Sequence, residues 1–337
     1  MTTATRAFRR ILFVDLQGGA EPSRGAIDTV DLARRLDAAV TVLDVVGRDH
    51  RGPVGSFPGR PRNRQAAVDR ALASSTVRLD SWRRQLGGPV RCAVSVRTGH
   101  RSEAVRREVA AGDHDVVVVS SQGRRAVVQT IRHLLRSCPR PLLVMRDGAL
   151  TGDVIALVDV HDDDDEMERV VTAAGALAAA LDRRSHVVCA VPRGDRVGEW
   201  SGRAGTGPAT TTTGATPSTL TDVRRRVCAC VDRAQITSRP TVHVALGPVV
   251  ATVDRESDMD DATLIVIARS GRRALSARIV GSLAERLLAS TTRSVLVLEP
   301  RPPSRHPTTS ADVASRRSPR WRSRGPRGPS LPPRSRT

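Results

Sequence analysis

"TLIVIARSGRRALSARIVGSLAERLLASTTRSVLVL", residues 263–298, decides the fold. An apolar run ending at Ala268 gives way to a basic loop with two glycines. "SLAERLLAS" follows with helical spacing, and then a second apolar run, "SVLVL". Short, unbroken runs of Val, Ile and Leu are the mark of strands buried on both faces. A strand, a helix and a strand in that order form a parallel crossover unit, which places helices on the faces of a sheet.

The same alternation extends upstream. "VIALVD" (Val154–Asp159), "SHVVCAV" (Ser185–Val191) and "TVHVAL" (Thr241–Leu246) read as strands, separated by helical patterns near 165–181, 221–234 and 248–257. The first half runs in the same order, with strands "ILFVD" (Ile11–Asp15), "VTVLDVV" (Val40–Val46), "VRCAVSV" (Val90–Val96), "DVVVVS" (Asp115–Ser120) and "PLLVM" (Pro141–Met145). The repeat unit is about 145 residues, a duplication of whole domains and not a solenoid. The predicted class is α/β: two tandem doubly wound domains, each on a five-stranded parallel sheet, at 1–148 and 149–299. Residues 195–218, rich in Gly and Thr, read as a flexible insert, and the Arg/Pro-rich residues 300–337 as a disordered tail. In such sheets ligands sit beyond the carboxyl ends of the strands, where Asp15, Asp159 and the loop after the fourth strand of each half fall.

Composition narrows the class. With 2% aromatic residues and no Tyr, the core must be built from Val, Leu, Ile and Ala. The net charge is +19, and residues 300–337 carry ten Arg against Asp312 alone, so roughly half the excess lies in the tail. Five cysteines without a CxxC pair read as reduced, mostly buried thiols of a cytoplasmic protein. No apolar run approaches the roughly 20 residues that span a bilayer, so a membrane partner is not expected.

Each half resembles a universal stress protein domain, and the whole resembles a tandem member of that family, over residues 8–147 and 153–299. The family's ATP-binding members carry a glycine, two residues, a second glycine, nine residues and then Gly-Ser after the fourth strand. In the second half Gly271, nine residues and Gly281-Ser282 fit, while Ala268 stands where the first glycine is expected. The resemblance implies a nucleoside contact for Asp159 and an adenine-lining role for Val187 or Val188, with Arg272 and Leu283 beside the phosphates. The first half keeps Asp15, but Ser120 stands for the first glycine, and His133 and Leu134 stand where Gly-Ser is expected. Its stretch from Gly123 to the fifth strand is five residues shorter than the second half's. ATP is therefore expected in the second half only, with the two halves paired through their fifth strands and a homodimer as a further possibility.

The chemistry accounts for the pattern. Glycines let backbone N–H groups turn toward a triphosphate. Ser282 with Glu285 three residues on forms a capping-box pattern at a helix whose N-terminus favours an anion. Arg269, Arg272, Arg273 and Arg278 add positive charge. No catalytic base or nucleophile stands out, so binding without efficient turnover is expected, with a weak ATPase as the alternative. The SGGxDS and HxGH signatures of related adenylyl-transferring enzymes are absent. "HDDDDEMER" (His161–Arg169) reads as acids complementing a helix dipole, or as holders of Mg²⁺ or Mn²⁺ bridging to the nucleotide; no protein metal site is expected. His100, His114, His133 and His243 read as surface or strand-edge residues, and Trp82 as core. Trp321 between Arg320 and Arg322 makes nucleic acid a second, less favoured partner, acting through the tail.

Overall fold

The computed structural model describes residues 8–16, 19–46, 61–86, 88, 90–121, 125–146, 150–160, 162–191, 220–234, 236–269 and 282–299. The expected insert at 195–218, the tail from 300 and the loop holding Gly271, Arg272 and Gly281 lie outside the described residues. In the first half the order is β1 (Arg10–Asp15), α1 (Arg24–Leu36), β2 (Ala39–Val46), α2 (Pro61–Leu86), β3 (Cys92–Thr98), α3 (Arg101–Ala111), β4 (Val116–Ser120), α4 (Arg125–Ser137) and β5 (Leu142–Met145). The second half gives β6 (Asp153–Val158), α5 (Asp164–Leu181), β7 (Ser185–Val191), α6 (Leu220–Arg233), β8 (Thr241–Leu246), α7 (Val249–Met259), β9 (Ala262–Ala268), α8 (Ser282–Ser290) and β10 (Ser294–Leu298).

All ten strands join one sheet in the order β3-β2-β1-β4-β5-β10-β9-β6-β7-β8. Pairs within each half are parallel, and the two halves meet where β5 and β10 run antiparallel, Leu143 opposite Leu296. Each half thus has its first and fourth strands adjacent, with the chain crossing to opposite faces on either side of that pair. α1, α2, α5 and α6 cover one face, and α3, α4, α7 and α8 the other; each apolar layer runs through both halves. Strand residues such as Val118, Val144, Ile265 and Val295 are wholly shielded from solvent, as unbroken apolar runs require.

Local signals set the helix ends. Ser23 Oγ accepts from Ala26 N at the start of α1, and Asp163 Oδ1 from Glu166 N at the start of α5. Both helices end on an aspartate in the left-handed region, Asp37 at φ 51° and Asp182 at φ 55°. Asp164, Asp165 and Glu166 occupy the first turn of α5, so the acidic run serves a helix start.

Arginines bind the halves together. Arg35 donates to Leu181 O at the end of α5 (3.2 Å), and Arg269 to Leu135 O and Cys138 O at the end of α4. Arg146 reaches Leu288 O near the end of α8. Each places a cation on the negative end of a helix from the other half.

Candidate functional site

The carboxyl edge of the sheet is built differently in the two halves. In the first, Asp15 closes β1 directly opposite Asp44 of β2. Two carboxylates side by side at a sheet end need a cation, and α2 supplies Arg78. Its Nη1 donates to Asp15 (2.7 Å) and to Gly19 O (2.9 Å), and its Nη2 to Asp44. The three side chains are 14%, 1% and 9% exposed, so this is a buried triad. Burial alone would lower the guanidinium's pKa, but the hydrogen bonds and charges of Asp15 and Asp44 raise it. One turn on, Trp82 is wholly buried as the sequence predicts. Its Nε1 donates to Ala20 O (2.9 Å), and Arg78 lies over its ring at 5.2 Å. Gly25 packs α1 against the end of β4 so closely that a Cβ there would stand 2.6 Å from Ser120 Cβ.

In the second half the counterpart of Arg78 is Arg226 of α6, which stands as far before His243 as Arg78 stands before Ser95 of β3. Arg226 does not bridge strand acids. It donates to Asp164 Oδ1 (2.8 Å) and to the carbonyls of Val160 (2.7 Å) and Asp162 (2.6 Å), tying down the turn after β6. Cys230 stands where the first half has Trp82, leaving a smaller side chain behind that turn.

The strand register differs by one residue from the alignment of the two acids. Val158 faces Cys189 where Asp15 faces Asp44, so Asp159 lies just beyond β6, in a turn where Asp162 N donates to Asp159 O (3.0 Å). Asp159 N in turn donates to Asp162 Oδ2 (3.3 Å). Burial, followed by the charges of Asp159 and Glu166, pushes the Asp162 carboxyl up to about 8. Burial, with Asp159 adding to it, pushes the Cys189 thiol up to about 12, which makes it inert as a nucleophile.

The other predicted residues fall as follows. Ala268 is the last residue of β9, half-buried, and Ser282 opens α8. Leu283 packs partly buried against the α7–α8 face. Val188 is fully buried in mid-strand between Leu157 and His243, and its neighbour Val187 is 1% exposed. Arg269 turns toward the first half: its buried guanidinium donates to Leu135 O and Cys138 O, and burial lowers its pKa. Glu285, expected in a capping box, accepts from Arg136 of α4 (2.8 Å).

Sequence reading missed Arg78 and Asp44 as partners of Asp15, and it missed a histidine–carboxylate cluster at the opposite, amino edge of the sheet. A visible signal existed for each: Asp44 interrupts an otherwise apolar strand, and two successive strands each carry a histidine near their amino end.

The sequence pattern of the Universal stress protein family matches residues 7–146 and again 157–299. No curated protein matches the chain. Among solved structures, a protein from Pseudomonas aeruginosa UCBPP-PA14 described as a universal stress protein is 19% identical, with a TM-score of 0.61, covering 88% of this chain and 95% of its own. A universal stress protein from Archaeoglobus fulgidus DSM 4304 is 13% identical, with a TM-score of 0.58, covering 86% and 96%. At such identities the likeness is one of fold. Among the described residues no helix is long and apolar enough to cross a membrane.

Proposed function

Because the chain belongs to the universal stress protein family, we propose that it is a regulatory ATP-binding protein whose second half alone holds the nucleotide and does not turn it over efficiently. The observation that carries this reading is the contrast at the carboxyl edge. The first half spends Asp15 and Asp44 on Arg78 and closes over them with Trp82. The second half has Val158 and Cys189 at those strand positions, keeps Asp159 in the turn beyond, and follows β9 with Gly271 and Gly281-Ser282.

In this reading the amides around Gly281, Ser282 and Leu283, at the start of α8, take the phosphates, with Arg272 balancing their charge. Gly271 allows close approach after Ala268. Asp159 contacts the ribose, and β7 around Val188 backs the adenine. The acids of the β6–α5 turn are the groups to engage Mg²⁺ or Mn²⁺ carried by the nucleotide. With Asp162 neutral near pH 7, that turn carries one negative charge fewer than its sequence suggests. Among the described residues, the Cys189 thiol is held protonated by burial, first of all. The expected setting is cytoplasmic.

Calorimetry with the full chain tests this. One ATP per chain is expected, lost by at least about 100-fold in Gly281→Asp, which would place a carboxylate among the phosphate oxygens. Retained affinity would mean that the site is elsewhere; two ATP per chain would mean that the first half is open.

A further inference from the structure

At the amino edge of the second half, four elements bring histidines and carboxylates together. His186 is the second residue of β7, His243 the third of β8, Asp260 caps the end of α7, and Asp153 opens β6. The register sets Val188 opposite His243, so the two imidazoles share the face covered by α7, with ring centroids 5.8 Å apart. His186 Nδ1 lies 3.1 Å from Asp260 Oδ2, and His243 Nε2 3.6 Å from the same oxygen. All three atoms lie within 4.8 Å of one another. Each is buried and has no hydrogen-bond partner.

The outer nitrogens explain why these three converge. His186 Nε2 is 3.0 Å from Asp153 Oδ2, and His243 Nδ1 is 3.1 Å from Glu256 Oε2. With the outer nitrogens assigned as the donors to Asp153 and Glu256, each neutral imidazole turns a lone pair inward. Two imidazole lone pairs and a carboxylate oxygen then point at one spot. Without a cation they repel, and each buried acceptor left unsatisfied carries a desolvation cost. Histidines turned by an outer carboxylate, with inner nitrogens facing a common point, are the usual support of a bound transition metal. Arg184 on Asp153 (2.9 Å) and Arg255 on Glu256 (2.7 Å) fix the outer carboxylates in turn.

We propose that His186 Nδ1, His243 Nε2 and Asp260 Oδ2 bind one divalent first-row transition metal ion, Zn²⁺ foremost. Bonds of about 2.0–2.1 Å in tetrahedral geometry separate neighbouring ligand atoms by about 3.3 Å, and the two distances to Asp260 bracket that value. Closing the third edge needs a turn of His243, whose side chain is 26% exposed. Two nitrogens and one oxygen suit Zn²⁺ better than Mg²⁺ or Ca²⁺, which prefer oxygen alone. Three protein ligands leave a fourth position for water. The site ties β7, β8 and α7 together and lies at the sheet edge opposite the proposed nucleotide loop, so the two proposals stand or fall separately.

The first half shows that the constellation is particular to the second. Gly99 N donates to Val46 O and Gly247 N to Val191 O, which aligns the strand ends. Counting back, Thr41 and Ser95 stand where His186 and His243 do, and Gly112, the cap of α3, stands for Asp260.

The test uses full-length protein freed of metal with a chelator, then titrated with Co²⁺ and Zn²⁺. One Co²⁺ per chain is expected, with the visible bands of a four-coordinate ion, no thiolate-to-cobalt charge-transfer band, and displacement by Zn²⁺. Saturating Zn²⁺ should raise the melting temperature by about 5 °C. His243→Ala and Asp260→Asn, each checked for native circular dichroism, should weaken binding at least tenfold. Glu256→Gln should weaken it by about 10–100-fold through the outer hydrogen bond. Cys92→Ser with Cys228→Ser should leave it unchanged. Absence of stoichiometric binding, a thiolate band, or binding indifferent to His243→Ala would overturn the proposal.

Discussion

The two halves share a strand order but differ at both edges of the sheet. At the carboxyl edge the first half buries a cation between two strand acids, where the second half has Val158 and Cys189 and sends its arginine to backbone carbonyls. At the amino edge the second half gathers two histidines and three carboxylates where the first has Thr41, Ser95 and Gly112. Neither difference disturbs the apolar layers, which run through the whole sheet. Duplication therefore leaves packing under one shared constraint while the polar edges diverge. In this chain Arg78 satisfies the carboxyl edge of the first half, while the amino edge of the second keeps buried His186, His243 and Asp260 atoms without hydrogen-bond partners.

The largest stability effect should come from breaking the first half's triad. Arg78→Ala removes the cation from two carboxylates that are 1% and 9% exposed, and stranding buried charge costs about 3–5 kcal/mol. Arg226→Ala removes hydrogen bonds to carbonyls near the surface and should cost about 1–2 kcal/mol. Urea unfolding of both variants measures the difference. Equal costs would erase the distinction drawn between the two carboxyl edges.

Next in size is Arg269→Ala, at about 1–3 kcal/mol, because Leu135 O and Cys138 O lose a buried donor at a helix end. This arginine follows β9 in the second half but serves α4 of the first. The variant should lower the melting temperature of the whole chain in a single transition and leave ATP affinity unchanged. A loss of ATP affinity without a loss of stability would return Arg269 to the phosphate role its sequence position suggests.

Sequence made the layered architecture legible because its signal is local. "SHVVCAV", "TVHVAL", "SLAERLLAS" and "SVLVL" match β7, β8, α8 and β10 residue for residue. An unbroken apolar run has few alternatives to a doubly buried strand. The polar contacts were hidden because they join distant residues. Asp15 and Arg78 are 63 positions apart, and Arg269 and Leu135 134. Spacing within one segment cannot show that two histidines on neighbouring strands meet, because the register that brings His186 beside His243 is fixed by the strands around them. The one-residue offset of Asp159 has the same origin: the motif aligns the acids, while the hydrogen-bond ladder aligns Asp15 with Val158.

The smallest effect expected is also the one that reads the second half's edge most directly. The Asp162 carboxyl ionises near 3.8 in an unfolded chain and near 8 in the folded one, through burial first and then Asp159 and Glu166. Between those values the unfolded state releases a proton that the native state keeps, so this group lowers stability progressively as pH rises from about 4 to about 8, and adds nothing further above that window. Asp162 is only half-buried, so solvent holds the effect to on the order of 1 kcal/mol. Asp162→Asn removes the titration while its side-chain oxygen can still accept from Asp159 N. The variant should therefore match the parent near pH 4, exceed it in stability at pH 8, and show a flatter melting-temperature profile between. The same charge bears on ligand binding: ionisation above pH 8 adds negative potential beside the proposed nucleotide, so ATP affinity should fall there in the parent and hold in the variant. If both proteins lose affinity in parallel, Asp162 does not face the ligand, and the asymmetry of the carboxyl edges rests on Arg78 alone.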